Sequence, residues 1–261
     1  ACEAERNMDG RHTHGRLMHC QPEARYQVYK WLKNNHSCLL CSQLAQQQQS
    51  ICLDCEVELP WLGAHCRLCA LPLSSAGQIC GECLRQPPSF TRVEAAWRFR
   101  FPVDSLISQF KHQSRWPYGR LLAELFAQHL QHAYADGLPR PDHLLPVPLA
   151  SKRLRQRGFN QAGMLGDWLG KALELPVEHG WLQRPLDTAA QQLLDAAQRK
   201  RNLRKAFHLA PGVTLKYLHV AVIDDVLTTG ATAEAIASLL CKAGASRVDI
   251  YCLARTPKPG D

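Results

Sequence analysis

From Pro87-Pro88 onward, apolar residues recur at two spacings. In "VDSLISQFKHQ" (Val103–Gln113) and "GRLLAELFAQHLQHAYA" (Gly119–Ala135) they fall three and four apart, the pattern of a helix with one buried face. "FNQAGMLGDWLGKAL" (Phe159–Leu173) and the Ala-rich "ATAEAIASLLCKAG" (Ala231–Gly244) read the same way, the second stopped by glycine. Shorter apolar runs lie between them. "HLLPVPL" (His143–Leu149) reads as a short buried strand ending in a Pro-restrained turn, and "YLHVAVIDDV" (Tyr217–Val226) and "SRVDIYCLAR" (Ser246–Arg255) read as buried strands. Strands that alternate with helices predict an α/β fold, a parallel sheet with helices on both faces, in which ligands sit beyond the carboxyl ends of the strands.

Before Pro87 the pattern is different: the chain is polar, includes Gln46–Gln49, and its order is set by cysteine. Cys38/Cys41, Cys52/Cys55, Cys66/Cys69 and Cys80/Cys83 form four C-x-x-C pairs with ten residues between each pair and the next, a period of 14. Each pair can give two thiolates to one metal, and two pairs complete a tetrahedral shell of four sulfurs, so eight thiols suit two structural zinc ions. Iron–sulfur ligation uses the same donors. A disulfide framework belongs to small secreted chains, and a redox pair needs a single C-x-x-C beside a βαβ unit. Sequential pairing (Cys38, Cys41, Cys52, Cys55, then Cys66, Cys69, Cys80, Cys83) keeps the loops short; an interleaved brace would join alternate pairs. So polar a segment needs metal to fold, and zinc binding supplies roughly 10–16 kcal/mol. The expected organisation is an extension over residues 1–37, poorly ordered, a double zinc-ribbon module over 38–86 and an α/β domain over 87–261. Cys241 and Cys252 stand outside the repeat in apolar contexts and are expected in the core.

Charge narrows the partners. Lys and Arg outnumber Asp and Glu 31 to 23, a net charge of +8, which favours phosphate-bearing ligands such as nucleotides and nucleic acid. No stretch approaches the roughly 18 continuous apolar residues of a membrane span, and the polar N-terminal tract has no apolar signal core, so the expected location is cytoplasmic.

The most specific stretch is "VAVIDDVLTTGATAEAI" (Val220–Ile236). Asp224 and Asp225 end an apolar strand, and Thr228-Thr229-Gly230-Ala231-Thr232 forms the turn into a helix. Backbone N–H groups at that helix start, with the threonine hydroxyls, make an anion site fit for a phosphate. Two carboxylates just before it do not want the same phosphate, but they accept hydrogen bonds from a cis-diol. Together they describe a ribose 5-phosphate. Simple capping of a strand end is the plain alternative. A P-loop is absent, because Met164 follows Gly158 and Gly163 where that motif requires Lys. At a strand end, both carboxylates are expected near solvent.

"VIDDVLTTGAT" resembles the 5-phosphoribosyl 1-pyrophosphate (PRPP) signature of type I phosphoribosyltransferases. With the cysteine pairs, "PVPLASKRLRQRGFNQA" (Pro146–Ala162), "RKRNLRKAF" (Arg199–Phe207) and "CLART", the chain is similar over residues 38–256 to the ComF family and its GntX-like members. The resemblance implies that Asp224 and Asp225 hold the ribose 2′- and 3′-hydroxyls and that Thr228–Thr232 hold the 5′-phosphate. It further implies that the turn Leu149-Ala150-Ser151-Lys152-Arg153, after the first core strand, is the pyrophosphate loop. "RKRNLRK", with Lys200 and Arg201 among its five basic residues in seven, matches the mobile loop that closes over substrate; its plain reading is a solvated basic surface. PRPP normally arrives with Mg²⁺.

Phosphoribosyltransferases that salvage 6-oxopurines carry an Asp at the position of Thr228, so the threonine departs from that pattern and leaves no evident general base. Two function classes follow. One is a Mg²⁺-dependent phosphoribosyltransferase with an unidentified acceptor. The other is a non-catalytic factor whose zinc modules and basic loop contact nucleic acid or a partner. The family's link to DNA uptake, competence and use of DNA as a nutrient makes DNA or the DNA-uptake machinery the expected partner.

Overall fold

The computed structural model describes residues 37–45, 49–185 and 206–258. The expected N-terminal extension, but for its last residue, and the basic loop with Lys200 and Arg201 lie outside the described residues. Among those described, no helix is long and apolar enough to cross a membrane.

In chain order, two one-turn helices, α1 (Leu53–Val57) and α2 (Gly81–Arg85), precede β1 (Arg92–Arg98), α3 (Val103–Gln113), α4 (Trp116–Ala135) and β2 (His143–Pro146). Then come α5 (Ser151–Arg157), α6 (Gln161–Leu173), β3 (Leu182–Gln183), β4 (His208–Leu209), β5 (His219–Leu227), α7 (Ala231–Lys242) and β6 (Arg247–Arg255). A four-stranded sheet has the order β1-β6-β5-β2, with every neighbouring pair parallel. β3 and β4 form a separate antiparallel pair.

Alternation along the strands builds two apolar layers. Ala221, Ile223, Tyr251 and Leu253 join Phe110, Leu122, Phe126 and Leu165 of α3, α4 and α6 on one face. Val220, Val222, Val248, Ile250 and Cys252 join Ile236 and Leu240 of α7 on the other. β5 and β6 are therefore covered on both sides, which is why they read as nearly continuous apolar runs. α6 starts at Asn160, whose Oδ1 accepts from the Ala162 N–H at 3.2 Å while its Nδ2 donates to the Val147 carbonyl at 3.1 Å. The helix can press onto β2 because Gly166 lacks a side chain; a Cβ there would stand 2.8 Å from Pro146 Cγ.

Three sequence expectations change. The first core strand is β1, which the sequence reading does not anticipate, so His143–Pro146 is the second, ending at Pro146 as a strand closed by a Pro-restrained turn should. Ser151–Arg157 is a short helix instead of an open turn, since Lys, Arg, Leu and Gln favour helix and Gly158, at φ 82°, closes it. Cys252 is buried as expected, but Cys241 is exposed on α7 with its thiol toward the Ser89 carbonyl.

The segment between the two cysteine groups docks on the sheet. Leu62 N donates to the Ala96 carbonyl and Arg98 N to the Pro60 carbonyl, both at 2.8 Å, and the Trp61 and Trp97 rings lie 5.3 Å apart. These contacts cover the open edge of β1.

Candidate functional site

The eight cysteines assemble in sequence order. The sulfurs of Cys38, Cys41, Cys52 and Cys55 lie within 4.8 Å of one another, and so do those of Cys66, Cys69, Cys80 and Cys83. The pairing is sequential. Each group has the same local design: Ser42 N donates to the Cys38 carbonyl and Ala70 N to the Cys66 carbonyl, both at 2.9 Å, and both residues are left-handed, at φ 63° and 55°. Cys52 and Cys80 each stand at the N-terminus of a one-turn helix. The sequence period of 14 thus becomes a structural unit of 28, one hairpin pair followed by one helical pair.

Electrostatics explain why these groups suit a cation. Burial raises the Cys38 thiol, but backbone donors, including Leu40 N at 3.4 Å, outweigh it and bring the group down to about 6. Burial and then the neighbouring sulfurs push Cys55 far up. In the second group Cys66 falls to about 7 against burial, while burial lifts Cys69 to about 11 and Cys83 higher still. Four thiolates in one small space repel one another, and a divalent ion removes the conflict. The two four-cysteine sites fit two structural zinc ions.

The second centre lies at the carboxyl end of β5. Asp224 and Asp225 are both strand residues, and Asp224 pairs in register with Cys252 of β6. The expectation that both acids lie near solvent holds only in part: Asp224 is half-buried, whereas Asp225 is 3% exposed and its Oδ2 lies 2.5 Å from Lys111 Nζ of α3. Burial, and then the charge of Asp225, hold the Asp224 carboxyl well above the ordinary range. The Asp225 N–H donates to Asp224 Oδ1 at 2.9 Å, and the Val226 N–H to Asp225 Oδ1 at 3.0 Å.

Beyond the acids, Thr228 and Thr229 are exposed and Gly230 starts α7 at φ 77°, a conformation that favours glycine. Thr229 Oγ1 accepts weakly from Ala231 N at 3.4 Å, and Ala231 and Thr232 open the helix. Ser151, Lys152 and Arg153 form the exposed first turn of α5. A cavity of about 450 Å³ lies between α5 and the end of α3, lined by Lys111, His112, Ser114, Arg153, Gln156 and Arg157. Burial pushes the Arg157 guanidinium down from its ordinary value, against the pull of Asp225, and its Nη1 donates to Gln161 Oε1 at 2.5 Å. Sequence reasoning misses Lys111 and Arg157. Lys111 lies on the polar side of an amphipathic helix more than 100 residues before the acids, with no local signal, although Arg157 stands within the basic run that carries Arg153.

A parallel α/β sheet whose β5 ends in paired acids before a glycine-started helix, joined to two four-thiol ribbons, defines an α/β protein with a double zinc ribbon. Residues 34–84 match the double zinc ribbon domain. The chain is 37% identical to the DNA utilization protein YhgH of Salmonella typhi, an alignment covering 84% of this chain and 96% of that protein. It is 33% identical to competence protein F of Haemophilus influenzae, over 85% of this chain and 97% of the relative. The purine phosphoribosyltransferase from Pyrococcus horikoshii Ot3 overlaps it at 18% identity and a TM-score of 0.31, over 54% of this chain and 74% of that one. The chain belongs to the ComF family of competence and DNA utilization proteins.

Proposed function

We propose that this protein binds PRPP, or a ligand carrying its ribose 5-phosphate, in the service of DNA uptake or the use of DNA as a nutrient. The observation that carries the reading is the juxtaposition at the end of β5: paired acids, a threonine-glycine helix start, and a cavity lined by Lys111, Arg153 and Arg157. Asp224 takes the ribose hydroxyls, Thr228–Thr232 take the 5′-phosphate, and the cationic cavity takes the pyrophosphate. Asp225 serves partly through Lys111, which it holds at the cavity wall. Ser151 and Lys152 reach the same anion from the first turn of α5, with Lys200 and Arg201 contributed by the basic loop.

In the reaction this site supports, the bond from the anomeric carbon to pyrophosphate breaks with its electron pair leaving on pyrophosphate, and an acceptor atom bonds to that carbon. Positive charge grows on the ribose ring and negative charge on the leaving group, so the cations act by electrostatic stabilisation. Mg²⁺, part of the substrate complex, shares the charge of the leaving group. No group at Thr228 serves as a base, so the acceptor must lose its proton elsewhere.

The names of the relatives favour a second reading, a DNA-handling factor that keeps the site for binding alone. One experiment separates the two: pyrophosphate release from Mg–PRPP with a panel of bases, beside DNA binding at two salt concentrations. Turnover supports the enzyme. PRPP binding without turnover, and DNA affinity that falls steeply with salt, support the binding factor.

A further inference from the structure

Arg255, the last residue of β6, is 7% exposed, and its guanidinium is spent on carbonyl oxygens. Nε donates to the Cys69 carbonyl at 2.9 Å. Nη1 donates to the carbonyls of Leu227 at 3.1 Å, Thr228 at 2.5 Å and Thr256 at 2.6 Å. One side chain therefore holds a residue of the second four-cysteine site and the first residue of the turn that leads into α7. The planar fork of guanidinium donors suits such a span; a lysine ammonium is a point charge and does not reproduce it.

The Cys69 end of this clasp depends on the metal. Its sulfur is one of the four ligands, and its neighbour Ala70 is left-handed, with an N–H bound to the Cys66 carbonyl at 2.9 Å. With metal on the sulfur, the carbonyl has a fixed direction. Without it, only the backbone bonds of the hairpin, Ala70 N to the Cys66 carbonyl and Cys66 N to the Leu71 carbonyl, and the burial of Ala70 hold that direction, and the four sulfurs repel one another. The first four-cysteine site is joined differently, through Cys38, Ile51 and Cys52 in the apolar layer that contains Trp97.

We propose that Arg255 is a positioning residue that couples metal loading of Cys66, Cys69, Cys80 and Cys83 to the conformation of the Thr228–Gly230 turn. The second ribbon thereby acts on the ribose-phosphate site, while the first does not. The functional consequence rests on the reading of that turn as a phosphate-binding element; the coupling itself does not.

The test combines variants of both partners in full-length protein: Cys80→Ser with Cys83→Ser, Cys38→Ser with Cys41→Ser as the control, and Arg255→Met or Arg255→Lys. Metal content, near-ultraviolet circular dichroism, amide hydrogen exchange at Glu234 and Thr256, whose N–H groups bind the Gly230 and Leu227 carbonyls at the two ends of that turn, and Mg–PRPP affinity are measured for each. Loss of the second metal should speed exchange in that turn by about tenfold, a factor one charge-assisted hydrogen bond can supply. It should have no further effect where Arg255 is already Met, and loss of the first metal should leave the turn unchanged. Arg255→Lys should keep both metals and recover only part of the protection. If Arg255→Met does not fold, the two cysteine variants and Arg255→Lys still decide the matter. Unchanged exchange on loss of the second metal, or equal loosening on loss of either, overturns the coupling. If wild-type protein binds no PRPP while the exchange pattern holds, the ligand reading fails and the coupling stands.

Discussion

The two four-cysteine ribbons have the same spacing, the same left-handed residue four positions after the first cysteine and the same one-turn helix, yet they join the domain in different ways. In the first, Cys38, Ile51, Cys52 and Leu59 are part of the large apolar layer around Trp97, Phe110 and Phe126, while Cys41 is exposed. In the second, Cys66, Leu71, Cys80 and Cys83 form a small cluster of their own, only Ala70 with Cys69 beside it enters the other apolar layer, and a polar clasp through Arg255 reaches the strand-end turn. A repeat in sequence is thus not a repeat in how each unit is anchored. The first ribbon joins one apolar layer through several side chains; the second meets the other layer through Ala70 and the strand-end turn through Arg255.

Metal removal should divide the two most sharply. Each pair of cysteine-to-serine changes should release one of two bound zinc ions, measured by elemental analysis of reduced protein. Zinc binding of roughly 10–16 kcal/mol underwrites each ribbon. Loss at Cys38 and Cys41 should also lower the melting temperature of the whole domain, whereas loss at Cys80 and Cys83 should leave the main transition close to wild type. Equal lowering by both would erase the distinction.

Packing gives the next largest effect. Ile51 is fully buried against the domain core, so Ile51→Ala should cost about 2–5 kcal/mol in denaturant unfolding. Leu71 is buried in the small cluster alone, so Leu71→Ala should weaken zinc retention with little change in the main transition. A large global loss from Leu71→Ala would show that the second ribbon is also part of the core.

The contrast between a structural and a site-directed partner recurs in the adjacent acids. Lys111→Ala removes the cation beside buried Asp225 and one wall of the cavity. It should lower PRPP affinity roughly 10- to 100-fold, the scale of one charge-assisted contact of about 1.5–3 kcal/mol. Arg120→Ala, on an exposed helical ion pair, should change affinity little.

The smallest effect is in pH. Because Asp224 is raised above its unfolded value, the native state holds more protons than the unfolded state between the two pKa values. Its contribution to stability is therefore greatest at low pH and is lost as pH rises through the folded value. Asp224→Asn should remove that component from the stability profile; an unchanged slope above pH 4 would show that the raised acid does not contribute.

Much of this was legible in sequence wherever the pattern is local. The cysteine spacing announced both metal centres, helical spacing located α3, α4, α6 and α7, and the order of apolar run, two acids, threonines and glycine marked the end of β5. β1 was hidden because Arg92 and Glu94 interrupt its apolar run; in the fold they pair with each other at 2.6 Å and Glu94 is buried. The helix α5 was read as a turn because seven residues are too few to show a helical period. Lys111 carried no signal, and Arg255 entered only as one letter of the "CLART" stretch, with no role of its own. One reads as the polar side of an amphipathic helix and the other as the end of a strand, and only the packing of distant elements gives them partners.

Calorimetric titration of Mg–PRPP into zinc-loaded protein tests a ribose-phosphate site at the end of β5 most directly. Asp224→Asn is the informative variant, because Asp224 is half-buried whereas Asp225 is locked to Lys111. Saturable binding by wild type, weakened roughly tenfold or more in folded Asp224→Asn protein, is the predicted result. Failure of the folded, two-zinc wild type to bind, or equal binding by the variant, would contradict the account.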